Sequence, residues 1–258
     1  MGWALLKKRI VPVQLLLDGR LVKTRQFGDY RDVGDPVSSS RVYNAQNADE
    51  LVFLNINRLA RDVEPLLKLL EAVSAVSFMP LSLGGGITGF DAARRLIRLG
   101  ADKVVVNSAA YGDGHLVSQI ADSFGSQAVM VSVDARFDQT RGDYALYSDC
   151  GRVAQPVELD HHLQRVTALG AGEILINSID RDGTMTGYDI VLLERTAAAV
   201  RVPVIGCGGA GNYNHLKDAF LKTGVSALAC GSLFNFTDSN PIRAKAFLSN
   251  YGLAFKTV

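Results

Sequence analysis

Eight short apolar runs recur along this 258-residue chain, and longer segments of helical periodicity separate them. The runs cover residues 10–15, 51–56, 80–83, 103–106, 128–133, 173–177, 203–206 and 226–230. They are apolar at nearly every position, which is typical of parallel strands covered on both faces. Eight strand–helix units in a chain of this length predict an α/β protein with one (β/α)8 barrel, the TIM-barrel fold, over residues 1–258. A doubly wound open sheet fits less well, because it more often has about five or six strands.

Amphipathic segments between the strands predict the outer helices. Residues 90–99, 156–169 and 215–221 each place apolar side chains on one helical face. A glycine follows each segment, and we expect Gly100, Gly170 and Gly224 to cap the three helix C-termini.

The two halves of the chain repeat the same order of motifs. Leu83-Gly84-Gly85-Gly86-Ile87 corresponds to Cys207-Gly208-Gly209-Ala210-Gly211. Residues 102–108 correspond to residues 226–232 at an offset of 124. The sequence therefore predicts a barrel built from two half-barrel repeats of four strands each.

Composition excludes several classes of function. A net charge of +1 gives no electrostatic argument for binding nucleic acid or an anionic membrane. The N-terminus has no apolar run of signal-peptide length, and no later run approaches the ~20 residues of a membrane helix. Three cysteines without metal-ligand or paired spacing suit a reducing compartment. We therefore expect a cytoplasmic protein.

Glycine clusters follow one strand of each half, where backbone N–H groups can approach an anion. The candidate phosphate- or substrate-binding residues are Gly85, Gly86, Asn107 and Ser108 in the first half, and Gly208, Gly209, Gly231 and Ser232 in the second. Two such sites indicate a small ligand with a phosphate at each end. The alternative is that the glycines only form tight turns between strand and helix.

Asp134 follows a buried strand directly, at the barrel end where such enzymes carry their chemistry. A carboxyl group there could act as general acid or base, with a pKa tuned by partial burial. The alternative is a carboxylate that caps the following loop. Asp182 and Gly183 lie in a loop after the sixth strand, which either covers the ligand or is a turn held by its aspartates.

Charged residues stand at the opposite ends of four strands. Arg9, Glu50, Lys103 and Glu173 precede or open the first, second, fourth and sixth strands, and could form a ring of salt bridges at the barrel floor. Ordinary surface charge is the alternative. His161 and His162 have no partner at metal-ligand spacing, so a solvated helix face is expected there rather than a site. No metal and no cofactor are predicted.

Several segments spread over essentially the whole chain resemble one family. They are Lys8-Arg9-Ile10-Val11-Pro12, Asp18-Gly19-Arg20-Leu21-Val22-Lys23, Asp49-Glu50-Leu51-Val52-Phe53-Leu54, Gly100-Ala101-Asp102-Lys103-Val104, Phe124-Gly125-Ser126-Gln127-Ala128-Val129, Gly170-Ala171-Gly172-Glu173-Ile174-Leu175 and Ser178-Ile179-Asp180-Arg181-Asp182-Gly183-Thr184. The chain is thereby similar to the cyclase subunit of imidazole glycerol phosphate synthase, the HisF family of lyases in histidine biosynthesis.

The resemblance implies a two-protein glutamine amidotransferase. A glutaminase subunit, HisH-like, would dock at the barrel floor as the partner in a heterodimer, and ammonia would pass through the barrel. The family's cyclase joins this ammonia to a ribulosyl aminoimidazole carboxamide nucleotide with two phosphates. The products are imidazole glycerol phosphate and an aminoimidazole carboxamide ribotide.

The resemblance also exposes a departure at the catalytic face. The family's chemistry depends on two aspartates, which end the first and fifth strands. Asp134 matches the second, but Leu15 occupies the position of the first. Leu17 and Asn55 stand where the family has a lysine and an acid. Loss of one proton carrier typically costs ~10²–10⁴ in rate, so cyclase turnover is expected to be impaired.

The floor matches the family closely. Arg9, Glu50, Lys103 and Glu173 occupy the four positions of the charged ammonia gate, and Asp102 matches a residue that faces the glutaminase. The resemblance thus favours a protein that still accepts ammonia but does not use it in the family's usual cyclisation.

Two functions follow from this pattern. The favoured one is a divergent paralogue that passes ammonia to a third protein, such as a sugar amidotransferase of surface-polysaccharide biosynthesis. The alternative is an active cyclase that uses Asp134 with a water in place of the missing acid. The related isomerase barrel of the same pathway is a weaker third reading, because it needs no glutaminase and its acid pair would also be broken.

Overall fold

Eight parallel strands close into a barrel in the computed structural model, which describes residues 7–59, 62–112 and 114–256. Residues 1–6, part of the segment searched for a signal peptide, lie outside the described residues. The strands are β1 (Arg9–Leu17), β2 (Arg20–Thr24), β3 (Tyr30–Gly34), β4 (Leu51–Asn55), β5 (Leu81–Gly84), β6 (Lys103–Val106), β7 (Val129–Asp138), β8 (Asp143–Ser148), β9 (Val153–Gln155), β10 (Glu173–Ser178), β11 (Val204–Cys207) and β12 (Ala227–Cys230).

Helices surround the barrel and follow its strands. They are α1 (Pro36–Ala45), α2 (Glu64–Ser74), α3 (Phe90–Leu99), α4 (His115–Phe124), α5 (Leu159–Ala168), α6 (Ile190–Ala199), α7 (Tyr213–Lys222), α8 (Ser232–Phe236) and α9 (Pro241–Ser249). Within the described ranges, no helix has both the length and the apolar character needed to cross a membrane.

Barrel closure follows from the strand pairing. The parallel order runs β1, β4, β5, β6, β7, β10, β11 and β12, and β12 pairs back onto β1 with Ile10 opposite Leu228. The predicted (β/α)8 fold is confirmed, and the eight apolar runs are its barrel strands. Their ends agree with the prediction to within two residues except at β7, and β6 has the predicted bounds.

Side chains alternate between the barrel interior and the helix layer, as strand geometry requires. One apolar cluster fills the interior, with members from seven of the eight strands: Val11, Val13, Val52, Val105, Met130, Leu175, Ile205, Cys207, Ala227 and Ala229. The remaining buried apolar residues, Ile10, Phe53 and Leu228 among them, pack in a larger cluster with the helices. The middle of the barrel is therefore filled by uncharged side chains.

A β-hairpin extends the first strand of each half, and the sequence analysis missed both. β2 and β3 add to β1, and β8 and β9 add to β7, all antiparallel. β7 was expected to end at residue 133 but continues to Asp138 through pairing with β8. The expectation that Asp134 ends its strand is therefore wrong, although Asp134 is the last interior residue before the strand leaves the barrel.

The helix predictions hold in part. α3 has the predicted bounds and ends at Gly100 in the left-handed conformation, with φ of 114°. α5 begins at Leu159, three residues later than predicted, and α7 is longer than predicted at both ends. Gly224 is not a left-handed cap, because α7 ends through Thr223 in an extended conformation.

The expectation for the histidine pair is wrong for one member. His161 is exposed, but His162 is fully buried and stacks on Tyr111, with ring centroids 4.2 Å apart. Burial and the nearby Arg165 charge lower the pKa of His162 to about 4, so the ring is neutral near pH 7. Tyr111 covers the side of α5 that was expected to face solvent. His162 is therefore a packing residue in the helix layer.

Candidate active-site cavity

A cavity of about 630 Å³ opens at the C-terminal end of the barrel strands. Its wall includes Asp134 from β7 and Leu15 and Leu17 from β1. All predicted phosphate- or substrate-binding residues line it: Gly85, Gly86, Asn107, Ser108, Asp182, Gly183, Gly208, Gly209, Gly231 and Ser232. The fold thus brings the two glycine clusters, 124 residues apart in sequence, into one cavity.

The second-half glycine turn requires glycine for two reasons. Gly208 and Gly209 have φ of 95° and 104°, which favours residues without a Cβ. A Cβ on Gly209 would also lie 2.1 Å from the carbonyl oxygen of Gly187. Tight packing therefore explains these glycines on its own, and the prediction of a ligand rests on their position in the cavity.

The first-half turn has the same construction. Gly85 and Gly86 have φ of 91° and 75°, and a Cβ on Gly85 would lie 2.0 Å from the Asn55 carbonyl oxygen. Asn55 itself is buried and lines the cavity, and its Nδ2 has no hydrogen-bond partner among the described residues. A buried donor that faces a cavity without a partner indicates a place for a ligand oxygen or an ordered water.

Asp134 adjoins Asn107, another predicted residue of the first-half site. Asn107 Nδ2 donates a hydrogen bond of 2.9 Å to its carboxylate. Burial raises the pKa of Asp134 to about 7, and the Asp182 carboxylate adds to this, whereas the Asn107 bond opposes it. A carboxyl group with such a pKa is suited to exchange protons near neutrality.

The wall opposite Asp134 is apolar. Leu15 lies on β1, the first strand of its half, as Asp134 lies on β7, the first strand of the second half. The two residues are adjacent to corresponding hairpins, with Leu15 opposite Val22 and Asp134 opposite Tyr147. Leu15 therefore occupies the position that mirrors Asp134, and it cannot exchange a proton.

Lys23 is a site residue that the sequence analysis did not single out. It lies on β2, is buried, and donates a hydrogen bond from Nζ to the Val13 carbonyl. The Nζ atom would be 2.6 Å from a Cβ placed on Gly231, so the amine adjoins the second-half glycines. Burial lowers the pKa of Lys23 to about 8, although the Asp182 carboxylate opposes this. Recognition of the hairpin would have been needed to find it.

Asp182 connects the first hairpin to the loop after β10. Its carboxylate accepts hydrogen bonds from Thr24 Oγ1 at 2.8 Å and from the Phe27 backbone N–H at 3.3 Å. Burial raises the pKa of Asp182 despite these bonds. The side chain of Asp182 therefore connects the hairpin to this loop, and the predicted ligand contacts of Asp182 and Gly183 stay a prediction.

The predicted ring of charges is present at the floor. Glu50 accepts from Arg9 at 2.7 Å and from Lys103 at 2.8 Å. Glu173 bonds the same two cations, with Lys103 at 2.7 Å. The carboxylates are buried, and the side chains of Arg9 and Lys103 are 25% and 18% exposed. The four residues thus form a closed ring beneath the apolar barrel interior.

Asp102 lies beside this ring on the exposed surface. Its Oδ2 accepts a 2.9 Å hydrogen bond from the backbone N–H of Leu81. One carboxylate oxygen therefore fixes the start of β5. The predicted role of Asp102 at a glutaminase interface stays a prediction.

The fold and cavity define a (β/α)8 barrel of two half-barrel repeats. The glycine cluster of each half forms one glycine cradle, and the titratable Asp134 lines the cavity that both cradles share. A family model described as "Histidine biosynthesis protein" matches residues 9–240. The chain belongs to this histidine-biosynthesis family, which confirms the resemblance found in the sequence.

Similar relatives are imidazole glycerol phosphate synthase subunits HisF. The subunit of Chlorobaculum parvum is 42% identical over 252 residues, which are 98% of this chain and 100% of the relative. That of Geobacillus kaustophilus is 41% identical over 249 residues, covering 96% and 99%. That of Lactiplantibacillus plantarum is 40% identical over 252 residues, covering 98% and 100%.

Proposed function

We propose that this chain is the synthase subunit of a two-protein glutamine amidotransferase, in a heterodimer with a glutaminase subunit at its floor. Ammonia enters through the ring of Arg9, Glu50, Lys103 and Glu173 and travels to the cavity. From there it passes to a further acceptor, such as a sugar amidotransferase of surface-polysaccharide biosynthesis. The two glycine cradles bind a small ligand with two phosphates.

The charged ring directly below an apolar barrel interior is the observation that carries this proposal. Val11, Val52 and Ala227 belong to the interior cluster just above the ring. An ammonium ion would lose its hydration there without a counter-charge, whereas neutral ammonia would cross at much lower cost. Glu50 and Glu173 fix both cations of the ring, and these contacts must rearrange to admit a molecule.

The proposal that ammonia leaves for another acceptor rests on Leu15. A cyclisation of the family's kind needs both proton donation and proton acceptance near the reacting atoms. Asp134 supplies one such group, and the mirrored position on β1 is an aliphatic side chain. The wall at Leu15 and Leu17 therefore favours transit of ammonia over the family's cyclisation.

A second candidate function, the active cyclase of histidine biosynthesis, is favoured by one specific observation. The pKa of Asp134 is about 7 and the pKa of Lys23 is about 8, and both groups line the same cavity. Two groups with such pKa values can divide acid and base roles near neutral pH. Lys23 would then take the role of the family's first aspartate, whose position Leu15 occupies.

Cyclase turnover separates the two candidates. The purified chain, Leu15→Asp and Lys23→Met are assayed with the ribulosyl aminoimidazole carboxamide nucleotide and ammonium chloride, without a glutaminase. The first candidate, in which the barrel is a conduit that passes ammonia to another acceptor, expects no measurable wild-type turnover and a gain in Leu15→Asp. Robust wild-type turnover that Lys23→Met abolishes would instead establish the cyclase.

A binding measurement completes the test. The chain is mixed with the glutaminase subunit encoded in the same genome, and glutamine hydrolysis is measured with and without the barrel. We expect the barrel to stimulate hydrolysis and Lys103→Ala to alter transfer of ammonia, whereas Asp134→Asn has little effect. Failure of the barrel to bind or stimulate any such glutaminase would refute the two-protein amidotransferase, whereas cyclase activity is decided by the turnover assay.

A further inference from the structure

A salt bridge spans the mouth of the cavity on the first-half side. Arg58 follows β4, and its Nη2 lies 2.5 Å from Asp149 Oδ2 in the turn between β8 and β9. Both side chains line the cavity, together with the exposed Arg152. The pair connects segments that are 91 residues apart in sequence.

This pair adjoins the first-half glycine cradle. The backbone N–H of Asp149 donates to Ser108 Oγ at 3.3 Å, and Ser108 is one of the predicted anion-binding residues. Asn55, with its unpartnered buried Nδ2, belongs to the same strand end from which Arg58 follows. The Nε atom of Arg58 is also buried and has no hydrogen-bond partner among the described residues. Two donors next to one cradle thus have unused hydrogen-bonding capacity.

Comparison of the two halves shows why a cation is needed here. In the second half, the amine of Lys23 adjoins Gly231 from the β1 hairpin. The corresponding position of the β7 hairpin, one residue beyond the pair opposite Asp134, is Ser148, which is neutral. Arg152, in the turn between β8 and β9, lines the cavity but is exposed, and the hairpin position that corresponds to Lys23 supplies no positive charge. Arg58 supplies one from the neighbouring loop.

We propose that Arg58 is the cation of the first-half phosphate site and that Asp149 is an internal competitor, which pairs with Arg58 until a phosphate group displaces it. The inference rests on the proposed role of the cradles in binding a ligand with two phosphates. It names Arg58 and Asp149 as residues that set the affinity and charge preference of that site.

The physical basis is competition between two anions for one guanidinium. Arg58 can offer a phosphate its Nη atoms and its buried Nε in a planar fork. A phosphate dianion carries more charge than a carboxylate and also reaches the backbone of the cradle and Asn55. Asp149, with 12% of its side chain exposed, makes the site selective, because a weakly charged ligand cannot displace it from Arg58.

The test is a titration with inorganic phosphate, followed by the backbone amide resonances of Asn107 and Ser108 in ¹H–¹⁵N spectra. These resonances report the first-half site, and those of Gly208 and Gly209 report the second-half site independently. The variants are Arg58→Gln, Asp149→Asn and the double variant. Arg95→Gln is the matched control, because it breaks an exposed arginine–carboxylate pair with Glu64 on the helix layer.

Opposite effects of the two single variants are expected. Asp149→Asn should tighten phosphate at the first-half site about fivefold, the upper range for a partly exposed ion pair. Arg58→Gln should weaken it about tenfold, as expected for loss of one charge-assisted hydrogen bond. In the double variant the gain from Asp149→Asn should vanish. The second-half site and Arg95→Gln should be unchanged.

Several results would overturn the inference. Weaker phosphate binding in Asp149→Asn would show that the carboxylate only supports the loop. An unchanged affinity in Arg58→Gln would remove the arginine from the site. If Arg58→Gln unfolds, Arg58→Lys provides the second test, with affinity between wild type and the expected glutamine value. Absence of phosphate binding at both cradles would refute the two-phosphate ligand as well, while glutaminase stimulation tests the conduit separately.

Discussion

Replacement of Asp134 by asparagine should make the protein more stable at alkaline pH. The pKa of Asp134 is raised from 3.8 to about 7, chiefly by burial. The unfolded chain titrates at the ordinary value, so between about pH 4 and pH 7 the folded protein binds more protons than the unfolded one. Stability therefore falls as pH rises through this window and stays low above it.

The magnitude follows from the same difference. A pKa raised by about three pH units corresponds to about 4 kcal/mol of lost stability once the carboxyl is ionised. Water in the open cavity reduces this, so we expect about 2–4 kcal/mol at pH 8. Asparagine has nearly the same shape, its Oδ1 can still accept from Asn107, and it carries no charge to desolvate.

The assay is urea unfolding of wild type and Asp134→Asn between pH 4 and pH 8. The free energies of unfolding should nearly coincide at pH 4 and diverge as pH rises. Asp138→Asn is the control on the same strand, because hydrogen bonds from Thr140 lower the pKa of this half-buried carboxyl group. Its effect on stability should therefore have the opposite sign. Parallel curves for wild type and Asp134→Asn would refute the argument from burial.

Three further outcomes are expected. Lys23→Met should stabilise the protein more at pH 7 than at pH 10, as measured by the free energy of unfolding. Burial lowers the pKa of Lys23 to about 8, so the stability of the wild type rises with pH between about 8 and 10.5, whereas the variant lacks this dependence. A larger gain at pH 10 than at pH 7 would contradict this. Lys103→Ala should cost about 2–3 kcal/mol in urea unfolding, since Arg9 would be the one cation of the ring left to Glu50 and Glu173, with Ser82 still bonded to Glu50. Lys222→Ala, which breaks an exposed pair with Asp218, is its control. Gly209→Ala should cost about 3 kcal/mol or more by thermal unfolding, because the Cβ would overlap a carbonyl oxygen and φ is positive, and an unchanged melting temperature would refute it.

The barrel strands and glycine cradles could be predicted because their causes are local. A strand covered on both faces must be apolar at almost every position, whatever its partners are. Gly85 and Gly209 are required by a backbone conformation that any L side chain strains. The half-barrel repeat then placed the two cradles at one end of the barrel.

The hairpins and the residues they carry could not be predicted in the same way. Lys23 has no distinguishing signal in the sequence, because its burial depends on β2 folding over the cavity. Arg58 and Asp149 meet only because loops from both halves of the barrel converge at the cavity. His162 was misjudged because its cover, Tyr111, comes from a short turn without periodicity. These features depend on contacts between distant segments.

The ring of charges at the floor also constrains how the barrel can assemble. Its four members come from β1, β6 and β10 and from the residue that precedes β4, and each carboxylate bonds both cations. Because side chains alternate along a strand, a slip of one residue in any of the four would point a charge into the apolar helix layer. Such a charge would lose its partners and its hydration together. Misregistered barrels are thereby penalised at four points of the circumference, whether or not a ligand or partner is ever bound.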